Sequence, residues 1–173
     1  MKRLLIAAMV LAIATTAAAG LNTNAIGYIS FDAAGAEVHR YDAAPYEQVT
    51  CYVVIAQIPD GLTTCNFMLT LTPGMSLMNT FTNLLPGDLA IGAYDTGIAL
   101  AATSCQTADP LVVASLLMFC AGTPGDIMFD PHPTWGYWID GCTPGVGEDY
   151  FVVTCNGGIL KDGECATPVE DTT

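Results

Sequence analysis

The stretch 49-VTCYVVIAQIPDGLTTCNFMLTL-71 decides how the chain is read. Two runs rich in β-branched, aromatic and aliphatic residues flank Pro59-Asp60-Gly61, a turn signal. The pattern predicts a β-hairpin. In its first arm Cys51, Val53 and Ile55 face one way, and Tyr52, Val54, Ala56 and Ile58 the other. Both sets are apolar, so this arm is expected to be covered on both sides. In the second arm Cys65, Phe67, Leu69 and Leu71 share one face, with Asn66, Met68 and Thr70 opposite. That alternation describes a strand with one inward side.

Outward from this stretch the same texture continues. Ala25 to Phe31 reads as a strand, and Glu37 to Tyr41 as a short edge strand. Pro45 keeps Asp42 to Tyr46 out of a central ladder. Met75 to Leu85 fits a strand, an irregular crossover or, by its spacing, a helix. Leu89 to Tyr94 and Ile98 to Cys105 are strands around Asp95-Thr96-Gly97. Leu111 to Cys120 is the most continuously apolar run and is expected to be a central buried strand, with a helix as the alternative. Asp126 to Phe129, then Thr134 to Ile139 (TWGYWI), are further strands. Tyr150 to Cys155 and Gly158 to Leu160 predict a last hairpin. About eight to ten short strands with frequent turns point to an all-β, single-domain sandwich of jelly-roll or immunoglobulin-like kind. The expected domain spans residues 20–166, followed by a polar, disordered tail at 167–173.

Met1-Lys2-Arg3, the apolar run Leu4 to Ala14 and the small residues Ala17 to Ala19 have the form of a secretory signal peptide, residues 1–19, cleaved near Ala19. The run is shorter than the ~20 residues of a membrane span, so no membrane insertion is expected. Of four Lys and Arg, Lys2 and Arg3 belong to the leader. That leaves Arg40 and Lys161 against 17 Asp and Glu, a net charge of −15. Such a surface cannot neutralise phosphates, which excludes nucleic acid, and anionic membranes with it.

Seven cysteines follow the leader: Cys51, Cys65, Cys105, Cys120, Cys142, Cys155 and Cys165. In an exported chain they read first as disulfide candidates. Cys155 with Cys165 closes a short Gly-containing loop, and Cys105 with Cys142 is the second choice. Cys51, Cys65 and Cys120 sit inside apolar runs, where a small buried hydrophobe is an equal reading. Without a C-x₂-C pair or a close His partner for His39 or His132, zinc is not expected. Gly74-Met75-Ser76-Leu77-Met78 lacks the last glycine of G-x-S-x-G, and neither H-E-x-x-H nor a phosphate loop is present. A secreted hydrolase would have to draw paired carboxylates from Asp126, Asp130, Asp140, Glu148 and Asp149, or a Cys–His pair using His132. No cofactor is expected, unless calcium on Asp140, Glu148 and Asp149. Trp135, Tyr137 and Trp138 are the candidate binding residues. As one strand they place Trp135 and Tyr137 on one face and Trp138 on the other. Such a surface stacks on sugar rings or anchors a protein.

From Pro45 to Pro131 the order of elements resembles a cohesin-type sandwich. An extended strand (VTCYVVIAQI) precedes a glycine-led one (GLTTCNFMLTL); the turn Pro86-Gly87-Asp88 follows. A small-residue strand (IALAATSC) then leads to an apolar strand (LVVASLLMFC) and a short partner (GDIMF). The chain also resembles exported bacterial proteins with a cohesin- or carbohydrate-binding-module-like fold. It departs from cohesins in its seven cysteines and its Trp- and Cys-containing tail, so the resemblance transfers the fold and no contact residue. The expected function is a non-catalytic extracellular binding or assembly module, secreted, periplasmic or part of a cell-surface structure. Its expected partner is another extracellular protein or a second copy of itself. The alternative is a polysaccharide partner, bound as by a carbohydrate-binding module.

Overall fold

The computed structural model describes residues 20–36, 39–73, 75–161 and 163, without the side chains of residues 75–80. The expected leader 1–19, the tail 167–173 and Cys165 lie outside the described residues. Thirteen strands and no helix occur among the described residues. They are β1 (Ile26–Ser30), β2 (Arg40–Tyr41), β3 (Gln48–Ala56), β4 (Leu62–Leu71), β5 (Met75–Asn83), β6 (Leu89–Ala93) and β7 (Gly97–Gln106). The chain continues with β8 (Leu111–Cys120), β9 (Gly125–Asp130), β10 (Trp138–Asp140), β11 (Asp149–Tyr150), β12 (Val152–Cys155) and β13 (Gly157–Ile159). Their number exceeds the expected eight to ten because the short runs that become β2, β10 and β13 all pair, and the expected strand Tyr150 to Cys155 is divided into β11 and β12.

The strands form a sandwich. One sheet has five strands in the order β12-β1-β3-β8-β5. The other has eight, with the path β11-β10-β4-β9-β13-β2 and the β6–β7 hairpin joined to β4 through β7. Pairing is antiparallel except for β1 with β12 and β13 with β2. The run 111–120 is a central strand, as its apolar texture predicts, holding β3 on one side and β5 on the other.

The opening stretch is not a hairpin. Its two arms are strands, but β3 lies in the five-stranded sheet and β4 in the eight-stranded one. The tight turn does form, with Gly61 N–H donating to the Ile58 carbonyl at 2.8 Å. The connection is however longer than the turn. Gln57 takes φ +59°, and the Ile58 side chain is buried in the core. A hairpin would put residue 58 at a sheet edge. Driving it between the layers carries the chain from one sheet to the other. The expected last hairpin fails in the same way: β12 pairs with β1, and β13 with β9 and β2, in different sheets.

Between the layers lie Cys51, Val53 and Ile55 of β3, Leu116 and Met118 of β8, and Cys65, Phe67 and Leu69 of β4, all fully buried. Each buried Leu, Ile or Phe of this kind stabilises the fold by about 1.5–3 kcal/mol. Phe129 meets Phe67 edge to face at 5.3 Å, joining β9 to β4 within the core. The expectation that β3 is covered on both sides holds for its second half only. There Tyr28, Val54 and Ala56 form a small outer cluster, roofed where the Tyr28 hydroxyl donates to the Gly35 carbonyl.

One end of β4 is stapled. Cys105 and Cys142 form the expected disulfide, with Cα atoms 5.4 Å apart. Cys105 lies in β7 and Cys142 just after β10, the strands that flank the start of β4, and the bridge passes over Gly61. A Cβ there would meet Cys142 Sγ at 2.7 Å, and φ is +70°, so glycine is required on both counts. Cys155 is also disulfide-bonded; its expected partner Cys165 is outside the described residues. Cys51, Cys65 and Cys120 are buried free thiols. Burial pushes the Cys51 thiol up to about 12 and the Cys65 thiol also upward. They behave as small hydrophobes, not as disulfide partners.

Candidate functional site

The outward face of β4 builds a groove. Alternation turns Thr64 and Asn66 away from the core while Cys65 and Phe67 point in. On one side β7 sets Ala99 opposite Asn66. On the other, β10 pairs Ile139 with Cys65 and Asp140 with Thr64, so the next outward position is Trp138. Tyr150 of β11 pairs with Trp138 in turn. A transverse row of Ala99, Asn66, Trp138 and Tyr150 results, and the small Ala99 leaves room above Asn66. Thr134, Trp135 and Glu148 wall the space, whose volume is about 450 Å³. That is within the range of small-ligand sites, about 300–1,000 Å³.

Trp135 is 51% exposed and yet fixed. His132 and Gly136 exchange backbone hydrogen bonds at 3.1 and 2.8 Å, closing a tight loop with Gly136 at φ +67°. His132 Nδ1 accepts from Thr134 N–H at 3.1 Å and Trp135 N–H at 3.3 Å. The imidazole stacks on the indole at 4.4 Å and 25°. It also lies against Gly97, where a Cβ would come within 2.8 Å of the ring. The indole is thus presented as a rigid platform.

Two polar atoms of the lining residues have no partner. Asn66 is only 2% exposed, and its Oδ1 accepts no hydrogen bond. Trp138 Nε1, also buried, donates none. Leaving such groups unmade costs about 1–3 kcal/mol each. Nothing basic sits among the lining residues. Arg40 pairs with Asp42, and Lys161 with Asp126, both at 2.8 Å.

The structure divides the residues singled out from sequence. TWGYWI is not one strand: only Trp138 and Ile139 belong to β10, because the His132–Gly136 loop takes the residues before them. Trp135 and Trp138 therefore share the groove, and Tyr137 leaves it. Tyr137 stands edge to face on Phe129 at 6.1 Å, packs on Phe151 at 5.1 Å, and donates its hydroxyl to the Phe129 carbonyl at 2.9 Å. Burial, with Asp130 nearby, raises its phenol. The expected calcium carboxylates are separated in role. Asp149 is buried and accepts the Asn22 N–H at 2.6 Å, Glu148 walls the groove, and Asp140 lies beside Thr64 at the stapled end of β4. Among the described residues no three His, Cys, Asp or Glu side chains gather as a metal site. Asn66, Thr64 and Tyr150 are site residues that the sequence motifs do not mark. The available signal was an amide in the middle of an otherwise apolar-and-threonine strand.

A second surface lies on the outward face of the five-stranded sheet. Thr50 and Tyr52 of β3 and Leu117 and Phe119 of β8 are half-buried there, with Thr50 opposite Leu117. Tyr46, 71% exposed, leans on Phe119 at 5.9 Å. Its backbone holds φ +66°, fixed by its N–H donating to the Cys120 carbonyl at 2.9 Å. The ring therefore stands in solvent on a backbone held in place.

No protein-family model matches the chain, and no curated protein matches it in sequence. Solved structures do. The seventh ScaB type I cohesin of Pseudobacteroides cellulosolvens superposes with a TM-score of 0.55 at 15% identity, covering 87% of this chain and 98% of that one. A chain of the type I cohesin–dockerin complex Coh-OlpC-Doc435 from Clostridium thermocellum gives 0.56 at 13% identity, covering 84% and 96%. A non-cellulosomal cohesin from the archaeon Archaeoglobus fulgidus gives 0.51 at 12%, covering 79% and 89%. The fold is a cohesin-like β-sandwich.

Proposed function

We propose that this chain is a non-catalytic, exported protein-binding module that holds another extracellular protein in an assembly. The observation that carries the reading is the cohesin-like fold, one of whose solved counterparts is a complex with a dockerin. The outward face of β3 and β8 supports it. Half-buried Thr50, Tyr52, Leu117 and Phe119, fronted by Tyr46, offer an apolar centre with an exposed aromatic anchor, the composition of a protein-binding patch. The signal-peptide-like leader and the disulfide agree with export.

The test is capture of proteins from the exported fraction of the source cells by the mature chain, with Tyr46→Ala/Thr50→Lys as the comparison. One protein retained by the wild type, and lost from the variant at unchanged melting temperature, is the expected result. No retained protein, or equal retention by both, overturns the reading.

A further inference from the structure

We propose that the groove over Asn66 and Trp138 is a second binding site, on the opposite face from the protein-binding patch, and that it takes a neutral saccharide. One pyranose ring stacks on the Trp135 indole, and one hydroxyl bridges Asn66 Oδ1 and Trp138 Nε1. The argument starts from the two unpartnered atoms, an acceptor and a donor in one groove floor. A hydroxyl donates and accepts at one oxygen, as water does, so it satisfies both. Around it stand further hydroxyl-binding groups: the Glu148 carboxylate and the Thr64 and Thr134 side chains. Above it the Trp135 ring is exposed and locked by His132, as a stacking platform for an apolar ring face has to be. Neither floor atom touches solvent in this conformation. Entry of a hydroxyl therefore turns the Asn66 amide or the Trp138 ring, and the indole reports it.

Charge and polarity select the ligand class. Glu148 and the acidic surface repel phosphorylated or carboxylated ligands, and no lining residue is cationic. An apolar side chain filling the groove would leave both floor atoms as unpartnered as they already are, and so gains nothing from them. A peptide could fill the two bonds with one Ser or Thr hydroxyl, but would then have to cover the indole face with a different side chain. A neutral polyol ring meets all three demands at once.

The test is titration of the full mature chain with neutral hexasaccharides of β-1,4-glucose, xylose, mannose and N-acetylglucosamine, read by tryptophan fluorescence and calorimetry. At least one is expected to bind with a fluorescence change. Trp135→Ala then weakens it about tenfold or more, the loss of one central contact. Asn66→Leu, close in shape to the amide, removes binding, and Tyr46→Ala leaves it unchanged. Should Asn66→Leu fail to fold, Glu148→Gln with Trp135→Ala decides. No titration by any of the four sugars overturns the proposal. So does undiminished binding in the groove variants, or a groove that responds only to peptides.

Discussion

Asn22 and Asn66 are both buried amides against β4, and they stand in opposite circumstances. Asn22, wholly inaccessible, is saturated. Its Nδ2 donates to the Gly61 carbonyl at 2.8 Å, its Oδ1 accepts Asp60 N–H at 2.9 Å, and its backbone N–H reaches Asp149. These bonds surround the start of β4, where the Cys105–Cys142 bridge crosses Gly61 and Thr63 donates to the carbonyls of Asp140 and Gly141. A few positions along the same strand Asn66 keeps an oxygen with no donor. A saturated buried amide orders the chain; an unsaturated one costs stability unless something else fills it. The difference separates a structural end of β4 from a binding middle.

The hardest blow to the structural end is loss of the bridge. Cys105→Ser with Cys142→Ser frees a loop with a sequence separation of 37. It is expected to lower the unfolding free energy by about 2–5 kcal/mol in urea titration. A change below about 1 kcal/mol would mean that the hydrogen bonds around Gly61 hold this end unaided.

Next comes Asn22→Ala. It strands the Gly61 carbonyl and the Asp60 N–H, so about 2–4 kcal/mol is expected from the same measurement. Asn66→Leu should do the reverse. Removing an unpartnered buried oxygen leaves stability within about 1 kcal/mol of wild type, or raises it. If Asn66→Leu proves as damaging as Asn22→Ala, the two amides are alike and the distinction collapses.

Little of this contrast could be read from the sequence, whereas most of the strands could. Alternation in β4 and the apolar runs of β3 and β8 are local properties, and the structure keeps each as a strand. The cohesin-type order, likewise, is a matter of strand succession. Pairing is not local. Pro59-Asp60-Gly61 makes its turn, but whether the arms meet depends on where Ile58 goes, and that is settled by the facing sheet. The same holds for the aromatic cluster. Period-two alternation put Trp135 with Tyr137, and one loop closed by His132 and Gly136 reversed the grouping. In the sequence His132 offers itself only as a zinc ligand or catalytic base, and its role as the rest on which Trp135 lies needs the folded chain. Cys105 and Cys142 were legible because both follow strand-like runs. The three free thiols among the described residues are not legible in the same way, since an apolar run suits a buried hydrophobe and a disulfide equally.

The smallest effect, and the finest separation of the two ends, is in pH. The Thr143 hydroxyl and N–H both donate to the Asp60 carboxylate and hold it below its ordinary value of 3.8. A carboxylate whose folded value is depressed binds its proton more readily in the unfolded chain. Its contribution to stability is complete above the unfolded value, near 3.9, and fades as pH falls through the lower folded one. Asp60→Asn cannot titrate. In urea titrations from pH 5 downward, the stability gap between wild type and Asp60→Asn is therefore expected to narrow below about pH 4. Asn66→Leu should keep the wild-type slope throughout, since the groove floor holds no proton that folding displaces. Parallel profiles for wild type and Asp60→Asn would show that the Thr143 bonds do not reach the carboxylate in solution. A flattened slope in Asn66→Leu would tie the groove to the stapled end, and β4 would then act as one unit.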